Sequence, residues 1–184
     1  EAVVAGARDA SGKPVKTRVN EATGGLLGPF NAMLLSPELG ACINGLAECL
    51  RFGDLACSQR LLEVAILRVV RHWRAQYAFW SHTRLAKAAG VPDQVVEAIR
   101  LGDRPQGMDA EEAAVWALCD ELLAPGMEVG DESYAAAVKV LGEQRVFEVA
   151  STVGYYTTLS AILKTFGVQP PPGEAPPIPP PARL

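Results

Sequence analysis

The sequence predicts an all-α protein of about seven or eight helices, and three observations predict it. Apolar residues recur at helical spacing through most of the chain, segment after segment opens on Ser or Pro and closes on Gly, and no convincing strand pattern competes. Composition fits one globular domain, since 184 residues at 49% hydrophobic can bury a proper core. The formal net charge of −4 argues against nucleic acid as main partner, because phosphate binding needs a concentrated basic face. Arg, Glu or Lys cuts every long apolar run within about three turns, so no membrane-spanning helix is expected. The four cysteines, Cys42, Cys49, Cys57 and Cys119, form no CxxC pair and have no His at metal spacing. They read as reduced, buried thiols of a cytoplasmic protein, with Cys42 and Cys49, seven apart on one helical face, as small core residues.

Taken in order, residues 1–25 form an N-terminal arm rich in Gly, Lys, Arg and Ala, leading into "TGGLLGPFNAML", where Gly24, Gly25, Gly28 and Pro29 favour a structured loop. "SPELGACINGLAECLRF" starts a helix with Ser36 as N-cap, Pro37 at the first helical position and Glu38 behind it. "SQRLLEVAILRVVRHWRA" follows a cap at Ser58 and is the most hydrophobic helix, hence the central one. The next helix runs from Tyr77 to Ala89 before Gly90, and another from Pro92 to Gly102. "DAEEAAVWALCDELLA" has the acidic first turn that a helix dipole prefers and stops before Pro125-Gly126. "DESYAAAVKVLG" and the long "EQRVFEVASTVGYYTTLSAILKTFG" complete the set. The last segment, 170–184, holds eight of the fourteen prolines. It reads as a disordered or extended arm lying on a neighbouring subunit, or, less simply, as a polyproline ligand.

The chemistry-bearing stretch is "RHWRAQYAFWSH", residues 71–82, which holds both histidines. Just upstream, Glu63 interrupts the apolar run "LLEVAIL". A carboxylate is costly to bury there without a partner, and the candidates are His82, Arg71 or a substrate group. A His–carboxylate pair is suited to proton transfer near neutral pH; a buried pair can equally tie two helices together.

Across "GPFNAMLLSPEL", "LLEVAILRVVRHWRAQYAFWSHTRLAKAAGVPDQVVEAI" and "VGYYTTLSAILKTF", about residues 25–168, the chain resembles the carboxymuconolactone decarboxylase and alkylhydroperoxidase D-like superfamily. The resemblance implies that residues 26–169 form an alkylhydroperoxidase D-like helical domain, assembled as a homo-oligomer (dimer, trimer or hexamer), with a pocket at the helix junction. It also implies roles. In the redox members a Glu precedes a CxxCxxxH motif by a spacing that Glu63 and His82 keep. The motif cysteines fall on Ala75 and Ala78, so the peroxide-reducing dithiol is missing and the family label of peroxiredoxin activity is disfavoured. Decarboxylase-like members commonly carry a glutamate where this chain has Ala78, directly beside His82 on the helix.

The function expected from these readings is a carboxymuconolactone decarboxylase-like lyase, free of cofactor and metal, acting on a small carboxylate or lactone through a Glu63/His82 acid-base pair. Arg71 or Arg74 is expected to hold a substrate carboxylate, and His72 to share the pocket. Tyr77, Phe79 and Trp80 are expected to wall it, Tyr155 and Tyr156 to bring a hydroxyl to it, and the loop with Asn31 to close its mouth. The alternatives are a peroxiredoxin-like antioxidant protein and a non-catalytic ligand-binding oligomer. Neither membrane nor nucleic-acid partners are expected, and HExxH, GxGxxG, GxxxxGK[ST] and GxSxG motifs are absent.

Overall fold

A computed structural model describes residues 24–180, and within them lie eight helices and no β-strand. The expected N-terminal arm falls almost wholly outside the described residues. The "GPFNAM" loop contains a short helix, α1 (Phe30–Met33), that the glycines and proline had argued against. Pro29 takes helical angles at its N-cap, so only Gly28, at φ +63°, carries the turn.

Helix α2 (Pro37–Phe52) begins where the Ser-Pro signal places it, although the Ser36 hydroxyl makes no capping bond. Its outer face stays apolar and open, with Leu39 58%, Leu46 43% and Phe52 41% exposed. Helix α3 (Gln59–His72) opens on Ser58, whose side chain accepts the Leu61 N–H. Nine of its residues from Leu61 to Val70 are buried, and it packs against four other helices: α4 (Gln76–Ala88), α5 (Asp93–Leu101), α6 (Ala110–Leu122) and α8 (Glu143–Thr165). This is the central helix that its hydrophobicity predicts. Helix α5 ends on Gly102 at φ +98°, and α6 starts with a reciprocal capping box between Asp109 and Glu112. Helix α7 (Asp131–Leu141) pairs with α6 and leads through Gly142 into α8.

Two ties set the corners that matter for the site. The carboxylate of Glu148, on α8, accepts the backbone N–H groups of Ala56 and Cys57 at 3.0 and 2.7 Å, fixing the loop that enters α3. Between α3 and α4 the chain turns through Arg74 at φ 56°, a left-handed conformation that costs a non-glycine residue about 1–2 kcal/mol.

The proline-rich segment, as far as residue 180, packs on that corner of its own chain, which corrects the expectation of disorder. Ile178 is 1% exposed. Gln76 grips its backbone twice, donating to its carbonyl at 3.0 Å and accepting its N–H at 2.9 Å. Arg74 donates to the Pro179 carbonyl and Arg100 to that of Pro177. Prolines cannot donate backbone hydrogen bonds, but their carbonyls accept freely, and one isoleucine supplies the apolar anchor.

Candidate functional site

The α3–α4 hairpin brings the acid and the imidazole together. Glu63 and His82 point at each other across the two helices, with Nδ1 of His82 2.8 Å from Oε2 of Glu63. Both are buried, at 1% and 6% exposure. The other carboxylate oxygen accepts from Gln59 at 3.1 Å. A carboxylate only accepts, so Nδ1 carries the hydrogen of this bond, and in the neutral imidazole the lone pair is then on Nε2. Nε2 has no hydrogen-bond partner among the described residues.

His82 lines a cavity of about 90 Å³. Tyr156 stands edge-on to it, with ring centroids 5.0 Å apart, and Tyr155 stands edge-on to Tyr156 in turn. Burial, and after it the neighbouring charge of Glu63, pushes the Tyr156 phenol well above its ordinary value. Tyr156 is therefore a neutral O–H that can donate. Tyr77 and Ala78 complete the α4 side, and Ala78 is the position at which the resemblance would place a glutamate. With alanine there, one flank of His82 is apolar.

Arg51, from α2, also lines this cavity and forms no ion pair among the described residues. Its guanidinium lies over the Phe52 ring at 4.9 Å. Sequence reading overlooked it because an arginine in the last turn of a helix already has a helix-dipole explanation. Asn44, two turns earlier on the same helix, is 4% exposed and lines the cavity with it. That i, i+7 pairing of two polar residues on one face was the available signal.

The remaining expected residues lie elsewhere. Arg71 donates to the carbonyls of Arg100 and Leu101 at 2.9 and 3.0 Å, closing the C-terminus of α5. His72 is exposed, in a cleft with Arg68, Trp116 and Asp120, because nine residues past Glu63 is about two and a half turns, which puts it on the opposite face of α3. Burial first, and then the Arg68 charge, lowers its pKa below the ordinary histidine value. Arg74 serves the chain corner. Phe79 is fully buried, and Trp80, under the Arg84 guanidinium at 4.2 Å, is not in the cavity wall. The Trp80 N–H is buried without an acceptor among the described residues, for which the structure offers no physical account. Both ends of the Asn31 amide are taken by the backbone of Leu26, at 3.0 and 2.8 Å, so it staples the 26–31 loop. Pro29 and Phe30 of that loop, not Asn31, face the cavity.

The thiols stand apart from this chemistry. Cys57 and Cys119 are buried as expected, but Cys42 and Cys49 are exposed, because the face of α2 that carries them is turned away from the core. Burial pushes Cys57 up to about 11 and Cys119 up to about 12. Among the described residues no three His, Cys, Asp or Glu side chains converge as metal ligands, and no helix is long and apolar enough to cross a membrane.

No protein-family model matches the chain, and no curated protein matches it. A solved structure does. The chain is similar to a protein of unknown function from Agrobacterium tumefaciens, provisionally described as an antioxidant defence protein AhpD, with a TM-score of 0.69 and 15% identity. The match covers 78% of this chain and 98% of that one. At this identity the likeness shows the fold: the chain has the AhpD-like all-helical architecture.

Proposed function

We propose that the chain is a cofactor-independent acid-base enzyme, carboxymuconolactone decarboxylase-like in its chemistry, acting on a small carboxylate or lactone. One observation carries this reading. A buried imidazole is fixed by a carboxylate through one nitrogen, while the other nitrogen, without a partner, belongs to a residue lining a cavity that also holds a cation.

In this proposal Glu63 keeps the tautomer and orientation of His82, and Nε2 moves a proton to or from the substrate. Arg51 takes the place expected for Arg71, holding the anionic group with parallel N–H donors. Tyr156 donates to a substrate oxygen. For a lactone acid that loses carbon dioxide, Nε2 of His82 takes the carboxyl proton, the carbonyl of the substrate receives the electron pair of the broken C–C bond, and the imidazolium returns that proton to carbon. The protein assembles as a homo-oligomer in the same reading, supported by the open apolar face of α2.

A panel of small unsaturated lactone acids, followed by carbon dioxide release and product mass, tests the reaction. His82→Ala and Glu63→Gln should each lower turnover by roughly 10²–10⁴-fold with the helical circular dichroism retained. Full activity in both variants would remove the assignment. A second reading, a ligand-binding oligomer without turnover, is favoured by Ala78 alone. If native protein is inactive and Ala78→Glu gains decarboxylation, that second reading replaces the first.

A further inference from the structure

The reaction cavity is too small for a whole substrate. Sites for small molecules commonly span about 300–1,000 Å³, and the space beside His82 is about 90 Å³. It can accept a head group, so the rest of the molecule must lie outside it.

A second space of about 410 Å³ borders it, and two features are shared between them. Tyr77 lines both. The 26–31 loop also lines both, presenting Pro29 and Phe30 to the inner cavity and Leu26, Leu27 and Gly28 to the outer groove. Loop and ring are in close contact: a Cβ on Gly28 would lie 2.5 Å from the Tyr77 ring, so only glycine allows this packing. The far wall comes from the end of α8 and the proline-rich segment, through Phe166, Val168 and Pro170–Pro172. Leu35 and Phe166 line the groove while 73% and 53% exposed, an amount of apolar surface that a ligand would cover. The polar group of Asn31 is spent on Leu26, and the groove, where Gln169 is the other amide, has no charged side chain in its lining. Inside, by contrast, Arg51 is a cation with no ion-pair partner among the described residues.

We infer that this is one bipartite site, in which Tyr77 and the 26–31 loop partition an inner chamber for a carboxylate from an outer groove for an apolar body. The ligand class is an amphipathic monocarboxylic acid, bound head-first against Arg51 with its hydrocarbon portion along Leu35, Phe166 and the prolines. The inference rests on the proposed acid-base site for the position of the head group only. Binding can be read without turnover.

Titration calorimetry with octanoate, propionate and 1-octanol on the native chain tests it. Octanoate should bind at least tenfold more tightly than either, because propionate leaves the groove empty and the alcohol leaves Arg51 unpaired. Leu35→Asp, at an exposed position that folding tolerates, should weaken octanoate at least tenfold and leave propionate unchanged. Arg51→Met should bring octanoate down to the level of the alcohol. Binding of octanoate and release of carbon dioxide are read separately on the native chain: selective octanoate binding without turnover of any lactone acid would sink the acid-base reading and leave this site standing, so the two failures are distinguishable. Equal affinity for octanoate and propionate, or octanoate binding untouched by Leu35→Asp, would overturn the groove. Equal affinity for octanoate and octanol would overturn the inner chamber.

Discussion

At the scale of single residues the decisive feature is which polar groups are left with work to do. Glu63 and His82 satisfy each other, and removing His82 from the buried pair should cost about 3–5 kcal/mol by stranding the Glu63 carboxylate. That cost alone makes the pair a structural tie as well as a site, and its meaning comes from the cavity beside it. The cysteines show the opposite case. Cys57 and Cys119 are held as thiols by burial, with pKa values near 11 and 12, and cannot supply a thiolate at neutral pH. A thiol reagent at pH 8 should therefore label Cys42 and Cys49 in the native chain and reach Cys57 and Cys119 only on unfolding. Rapid labelling of all four in the folded state, or consumption of thiols by hydroperoxide with turnover, would revive the antioxidant reading. Ala75 and Ala78 occupy the positions where a reactive dithiol would stand.

At the scale of elements, each helix of the site is aimed by a tie from distant sequence. The α3–α4 corner passes through strained Arg74, and its geometry is secured by Gln76 and Arg74 gripping the backbone around Ile178. The entrance to α3 is secured by Glu148. Burial works against the charge of that carboxylate, yet the N–H donors of Ala56 and Cys57, with Gln144, outweigh it and hold its pKa below the ordinary value. A depressed carboxylate stabilises the fold above its unfolded pKa, about 4.3, and the contribution is lost as pH falls through the lower folded value. Urea midpoints should thus show Glu148→Gln clearly less stable than the native chain at pH 7, the gap narrowing below about pH 4.5. A gap that stays constant down to pH 3 would contradict this account.

At the scale of the whole molecule, one helix in contact with four others defines the interior and one helix face is left over. Helix α3 is covered by α4, α5, α6 and α8, whereas α2 touches only α1 and α8 among its main contacts and presents Leu39, Leu46 and Phe52 outward. Exposed apolar surface of this kind marks an interface more often than a free face. Sedimentation of the purified chain should give a mass of two or more copies, and Leu46→Glu should shift it toward one. A single-chain mass at micromolar concentration would remove the oligomer from the proposal.

What the sequence determined by itself was the helical content, nearly every helix boundary and the identity of α3 as the core, because periodicity, caps and Pro/Gly punctuation act over three or four residues and need no tertiary context. It also marked Glu63 as needing a partner and His82 as a candidate, since one charge in an apolar run is conspicuous. Only the tertiary structure decided that Arg51 and not Arg71 lines the cavity beside His82, that Asn31 is a staple, and that Ile178 anchors a segment whose prolines had argued for disorder. The physical reason is that a long side chain goes to whichever carbonyl, carboxylate or cavity lies within its reach, and that choice depends on neighbours tens of residues away. Local pattern sets where a helix runs; packing sets what each of its faces meets.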